Sequence, residues 1–260
     1  MSVYERVSVS KEDAIAILTL NCPEKLNAMD IPMLRELLDA TTEINEDDTI
    51  RVAILTGAGP SFCAGADLTM KSLNGQTTAE HLKNDHRPVL WAIRNAPKPW
   101  ISAVNGAAAG IGSAYAINCD LTVMADDAYL LQAFSAIGLI PDGGASWHLT
   151  KLIGRKRAYE LIVTGERLSA ARCLELGLCN RVVEPERLLE ETLAWAKELV
   201  KRAPLSLRHA KTAVWTASEH DLDTTFDLEA ELQMLCMASE DFVEGVRAFM
   251  EKRKPDFKGC

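Results

Sequence analysis

Apolar residues gather into short β-type runs at 14–20 (AIAILTL), 52–56 (VAILT), 100–104 (WISAV), 121–125 (LTVMA) and 129–134 (YLLQAF). Most are followed by turn residues and then by apolar positions at helical spacing, which predicts β–α alternation in a mixed α/β domain. The intervals are irregular, so a degenerate spiral of ββα turns fits better than a regular solenoid. Two helices carry caps: Asp30 precedes IPMLRELLDATTEI, and Ser169 precedes AARCLEL with Gly177 closing it. A short polar side chain satisfies the first free N–H groups of a helix, and glycine suits its left-handed exit. Beyond Pro185 the pattern becomes amphipathic over 186–202 and about 222–252, with Leu, Phe and Met opposite Glu, Asp, Lys and Arg. Stripes of this kind pack on a core or on another subunit. The chain is therefore expected to divide into a mixed core, 1–185, and a strand-free helical segment, 186–260.

Composition narrows the function classes. With 260 residues, 48% of them hydrophobic, the chain buries a full core without staples. Its net charge of −9 disfavours a nucleic-acid backbone binder, which needs a basic face. The seven cysteines are scattered, with no C-x-x-C pair, as expected of reduced thiols in a cytoplasmic protein. The first thirteen residues are polar, and no apolar run reaches the length of a membrane span.

Two small-residue turns, SFCAGADL at 61–68 and NGAAAGIGSA at 105–114, follow apolar runs and lead toward helices. Such turns can aim backbone N–H groups at one acyl oxygen, and preorganised donors of this kind stabilise a thioester enolate. The glycines of 105–112 also match a dinucleotide-binding pattern. That reading fails on context, because about a hundred residues precede the turn and none of the four tyrosines has Lys four positions later. G-x-S-x-G and H-E-x-x-H motifs are absent. The five histidines fall in no metal-ligand spacing, and most read as surface or helix-face residues; His86 and His148 lie close in sequence to the candidate site segments. Asp142, in AIGLIPDGGASWHL, is the most distinctive acid. Pro-Asp-Gly is a turn sequence in its own right, and a carboxyl facing an apolar pocket is also a candidate proton carrier, so local sequence leaves both roles open.

In order, PEKLNAM (23–29), SFCAGADL (61–68), ISAVNGAAAGIG (101–112), CDLTVMADDAYL (119–130), GLIPDGGASWHLTKLIGRKRAYEL (138–161) and AFMEKRKPDFKG (248–259) resemble the crotonase, or enoyl-CoA hydratase/isomerase, superfamily across nearly the whole chain. The resemblance implies an α/β, crotonase-like ββα spiral core with a C-terminal helical trimerisation segment, assembling as a homotrimer or dimer of trimers. It implies an acyl-CoA substrate and no cofactor beyond its CoA moiety, no metal, and no nucleic-acid or membrane partner. The backbone N–H groups of Ala66 and Ile111 would hold the thioester oxygen; many relatives have Gly at the second position. CoA would lie along Lys25, Leu26 and Ala28, then Ala64, Asp67 and Leu68, with Phe249 and Lys252 closing over it from the same or a neighbouring subunit. Residues 70–90 would shape the acyl pocket.

Departures from the family pattern point to the reaction. Typical hydratases hold a water between two glutamates, whereas the aligned positions here are Ala114 and Phe134. Asp142 stands where relatives that shift double bonds or attack aryl thioesters carry an aspartate, and Ala133 through Gly144 are especially similar to the 1,2-epoxyphenylacetyl-CoA isomerase type and related Δ3,Δ2-enoyl-CoA isomerases. Isomerisation by proton shuttling is the favoured expectation, with Phe134 and Ala114 as a dry wall. Hydration of an unusual acyl group, acyl-CoA binding without catalysis, and aryl-CoA dehalogenation are alternatives, the last disfavoured by Phe134 and Arg87 where that type carries tryptophan and histidine.

Overall fold

The computed structural model describes residues 4–69 and 75–260. Its strands are β1 Val7–Glu12, β2 Ile15–Leu20, β3 Val52–Gly57, β4 Ser61–Cys63, β5 Trp100–Val104, β6 Ala107–Ala109, β7 Leu121–Ala125, β8 Tyr129–Leu131, β9 Arg167–Ser169 and β10 Arg181–Val183. The helices are α1 Ile31–Glu46, α2 Thr78–His81, α3 Arg87–Arg94, α4 Ile111–Asn118, α5 Ala145–Ile153, α6 Arg155–Thr164, α7 Ala170–Leu176, α8 Leu188–Val200, α9 Pro204–Glu219, α10 Leu222–Met237 and α11 Glu240–Glu251.

Two sheets are wound together. One has six strands in the order β1-β2-β3-β5-β7-β10 and the other four in the order β4-β6-β8-β9. Each turn of the chain gives one strand to each sheet before its helix: β3 with β4, β5 with β6, β7 with β8. This is the ββα spiral. All neighbours from β2 to β10 in the larger sheet are parallel. Such strands are covered on both faces, which is why VAILT and WISAV read as nearly continuous apolar runs. α8 packs across β2, β3, β5 and β7.

Both predicted caps form. Asp30 accepts the Met33 N–H at 2.9 Å, and Ser169 accepts that of Arg172 at 3.3 Å before Gly177 leaves α7 at φ +74°. The run at 129–134 is shorter than expected: β8 stops at Leu131, and Phe134 begins a helical turn over Ser135–Ile137. The stretch at 222–252 is two helices. It breaks at Ala238, and Ser239 recaps α11 by accepting the Phe242 N–H at 3.1 Å. No strand follows Val183 among the described residues. α9 is tied to the core through a partly buried ion pair, Lys211 Nζ to Asp120 at 2.8 Å. Arg51 donates to the Phe257 carbonyl at 2.6 Å, returning the C-terminal tail to the core.

Candidate active site

β4 and β6 pair in parallel, so the turns that follow them leave the smaller sheet at the same edge. The carboxyl ends of parallel strands are the usual place for a ligand in α/β proteins. The two turns touch. A Cβ on Gly65 would lie 3.0 Å from the Ala109 carbonyl oxygen, and one on Gly110 would lie 3.8 Å from Gly65 Cα. Both residues also have positive φ, +107° and +53°, a conformation glycine adopts without steric cost.

Backbone polarity then follows from pairing. Met29 donates to Gly65 O at 2.7 Å and accepts from the Asp67 N–H at 2.9 Å. Those bonds turn the intervening Ala66 N–H away from Met29, as alternation along a strand requires. Ile111 opens α4, so its N–H is a first-turn donor without an intrahelical acceptor, at the positive end of the helix dipole. Two such donors suit an oxyanion. Asn27, not singled out from sequence, fixes the segment beside them. In a left-handed conformation (φ +56°), its side chain accepts from Cys22 N–H and donates to the carbonyls of Ala58 and Ser61. Cys63 lies fully buried beneath the first turn, where burial pushes its thiol up to about 12 and keeps it a packing group.

Asp142 follows β8 and the Phe134 turn. Gly143 and Gly144 both have positive φ, and the Asp142 carbonyl accepts the Ala145 N–H at 3.0 Å as α5 begins. The turn sits directly on α4, since a Cβ on Gly143 would lie 2.8 Å from both Ala114 Cβ and Ile111 Cγ1. Turn and site are therefore one feature: the Pro-Asp-Gly-Gly bend puts Asp142 above the start of α4. Its carboxyl is half-buried and pushed up to about 6 by loss of solvation, with Oδ1 buried and unpartnered. Phe134 is buried, and its Cζ lies 3.9 Å from where a Gly110 Cβ would stand. Phe134 and Ala114 thus flank the turn with apolar surface.

The structure brings one unexpected histidine to this place. His81 is buried and carries an unpartnered Nε2. His86 instead bonds Tyr115 Oη through Nδ1 at 3.3 Å, and burial holds it down to about 3, so it stays neutral. His148 packs against Trp147 and Trp215 under the glycine turn. The only signal in the sequence for His81 was Asp85 four residues on, the spacing that pairs side chains along a helix.

The expected CoA strip is partly assembled. Lys25 Nζ bonds Asp67 at 2.9 Å, and Asp67, held down to about 2 by Thr69 and Lys25, also accepts from Thr69 N–H and Oγ1. Leu26, Ala64 and Leu68 are exposed beside this pair, and Ala28 is partly covered. Phe249, 81% exposed, and Lys252, the left-handed cap of α11, have no hydrogen bond or ion pair to that strip among the described residues. Of the expected acyl-pocket segment, residues 70–74 lie outside the described residues. No cluster of three or more potential metal ligands occurs among the described residues, and no described helix is long and apolar enough to cross a membrane.

A family model described as enoyl-CoA hydratase/isomerase matches residues 10–260. The chain is 39% identical over 252 residues to 1,2-epoxyphenylacetyl-CoA isomerase of Escherichia coli (strain K12), covering 95% of this chain and 96% of that one. It is 34% identical over 255 residues to crotonyl-CoA hydratase of Syntrophomonas wolfei, covering 98% of each. Among solved structures, an enoyl-CoA hydratase subunit I from Geobacillus kaustophilus HTA426 superposes with a TM-score of 0.93 at 37% identity, over the full length of both.

Proposed function

The chain belongs to the enoyl-CoA hydratase/isomerase family, and from that premise we propose that it isomerises an enoyl-CoA or related acyl-CoA thioester with Asp142 as the proton carrier. The observation that carries this reading is the Asp142 carboxyl, raised toward neutrality on a turn that packs on Ala114 and Ile111 of α4, while the positions matching the water-activating glutamates of family hydratases are Ala114 and Phe134. A base with a pKa near working pH is well matched to removing and returning one proton.

The ionised carboxylate takes a proton from the acyl chain. The electron pair moves into the thioester, whose oxygen becomes an enolate oxyanion held by the Ala66 and Ile111 N–H groups. The carboxylic acid then returns the proton at another carbon, and the double bond has moved. Phe134 and Ala114 keep water out of the intermediate. CoA would lie along Lys25, Leu26, Ala28, Ala64, Asp67 and Leu68. A neighbouring subunit would bring Phe249 and Lys252 over it, since the helical segment from residue 186 on is proposed to build a homotrimer or dimer of trimers. No cofactor beyond CoA is required, and free thiols, most of them buried, suit a cytoplasmic enzyme.

Asp142→Asn is expected to lower isomerisation of trans-3-hexenoyl-CoA by roughly 10²–10⁴-fold, the usual worth of general acid–base catalysis. A variant within a few-fold of wild type would remove Asp142 from the mechanism. In ¹⁸O-labelled water the product should carry no solvent oxygen; incorporation would instead establish hydration.

A further inference from the structure

Close to Asp142 lies a chain of buried polar groups that the one-carboxyl mechanism leaves unused. His81 ends α2, and the helix widens over Leu82–His86 before α3, with the Arg87 N–H reaching back to Leu82 O. Widened turns of this type are frequent at functional sites. Within it, His81 Nδ1 meets Asp85 Oδ2 at 2.7 Å, and both side chains are close to fully covered. An acceptor-only carboxylate on Nδ1 fixes the tautomer: Nδ1 carries the hydrogen, and Nε2 is left to take or give a proton. That Nε2 is buried without a partner, and so is Asp142 Oδ1. The intervening packing is continuous. The His81 ring stands 4.9 Å from that of His86, His86 bonds Tyr115 on α4, and Ala114, next to Tyr115, lies under Gly143. A buried polar atom without a partner is costly unless something else occupies it. Here two of them belong to groups that exchange protons, and the His81 imidazole is among the groups that act electrostatically on Asp142.

We propose that His81, oriented by Asp85, is a second proton-transfer residue of this site. The inference rests on the proton-shuttle reading above and extends it. Asp142, as carboxylate, takes the proton from the first carbon and becomes the carboxylic acid. It passes that proton to His81 Nε2 through a bridging water, and the imidazolium so formed is stabilised by the Asp85 carboxylate on its other nitrogen. Nε2–H then delivers the proton to the second carbon as the enolate collapses. Asp142 ends as carboxylate and His81 as neutral imidazole, so both return to their starting state and no further reactant is consumed. The relay lets removal and delivery occur at different places along the acyl chain. His86 is not part of it, because its Nδ1 is engaged by Tyr115. Asp85 acts only through His81 and is a positioning residue.

The test uses the full-length enzyme and trans-3-hexenoyl-CoA, with circular dichroism to verify folding. His81→Ala is expected to lower kcat by roughly 10²-fold with KM little changed, and added imidazole, which fits the vacated ring space, should restore part of the rate. Asp85→Asn, which keeps the shape but cannot stabilise the imidazolium, should lower kcat by about tenfold. Imidazole should not rescue Asp142→Asn. The relay is overturned if both variants stay within twofold of wild type, or if the loss in His81→Ala resists imidazole and falls on KM as much as on kcat. Should His81→Ala fail to fold, Asp85→Asn decides by the same kcat criterion. A wild-type enzyme that leaves the thioester unchanged overturns the proton-shuttle reading itself, and the relay with it.

Discussion

At the scale of single residues, Asp142 is where chemistry and stability pull apart. Its carboxyl titrates at about 6 in the fold against 3.8 for the free group, because burial penalises the charged form. The ionised form therefore destabilises the fold above about pH 6. As pH falls the penalty is relieved, and it is gone below about pH 4, where folded and unfolded chains are both protonated. Asp142→Asn, nearly the same shape without the charge, should be more stable than wild type at pH 8 by about 1–3 kcal/mol after allowance for partial solvent access. That advantage should disappear by pH 4. Thermal unfolding of both proteins from pH 4 to 8 measures it; equal melting temperatures throughout would show that the site does not strain its carboxylate. A gain in stability with a loss of turnover is what a catalytic group in a poorly solvated place produces. The same titration makes the isomerisation rate rise with pH through about 6, since the base must be ionised.

At the scale of elements, function depends on how closely two turns approach. Gly65 and Gly110 permit the contact between the loop after β4 and the loop after β6, and Met29 and Asn27 hold the first loop from behind. Gly65→Ala would place a methyl 3.0 Å from a carbonyl oxygen on a backbone at φ +107°. The fold should lose on the order of 1–3 kcal/mol. Displacing the Ala66 N–H should cost kcat/KM roughly 10²–10³-fold, as loss of one oxyanion donor does. Steady-state kinetics with parallel urea unfolding separates the two effects. Activity near wild type in a folded Gly65→Ala protein would mean that this turn does not set the donor.

At the scale of the whole molecule, the last two helices leave much apolar surface uncovered. Phe226, Met234, Leu235, Phe249 and Met250 are each more than half exposed. Surface of this kind on consecutive helices is the signature of association, and it agrees with the proposed trimer. Sedimentation should give three or six times the mass of one chain. Phe226→Glu combined with Met234→Glu should shift the protein toward monomers and weaken acyl-CoA binding together, if a neighbouring subunit brings Phe249 and Lys252 to the strip at Lys25. A wild-type protein that sediments as a monomer would end that proposal.

Some of this was determined by the chain alone. Nearly continuous apolar runs specified the buried strands β2, β3, β5 and β7, because a strand covered on both faces shows few polar positions. Asp30, Ser169 and Gly177 specified helix ends because capping is a local matter of one side chain and the next few N–H groups. The glycine turns and Asp142 were legible for the same reason, as backbone conformation and turn chemistry act over a few residues. Strands β4, β6, β9 and β10 were not legible: three residues carry no periodicity, and only pairing with a distant neighbour makes them strands. The break at Ala238 hid inside a continuous amphipathic pattern. His81 was passed over while His86 stood out, since which histidine is left with a buried, unpartnered nitrogen depends on a widened helical turn and on α4 packing between distant segments. Local stereochemistry wrote the turns and their carboxylate into the sequence; the company Asp142 keeps was decided by tertiary packing, which sets burial and therefore its proton affinity.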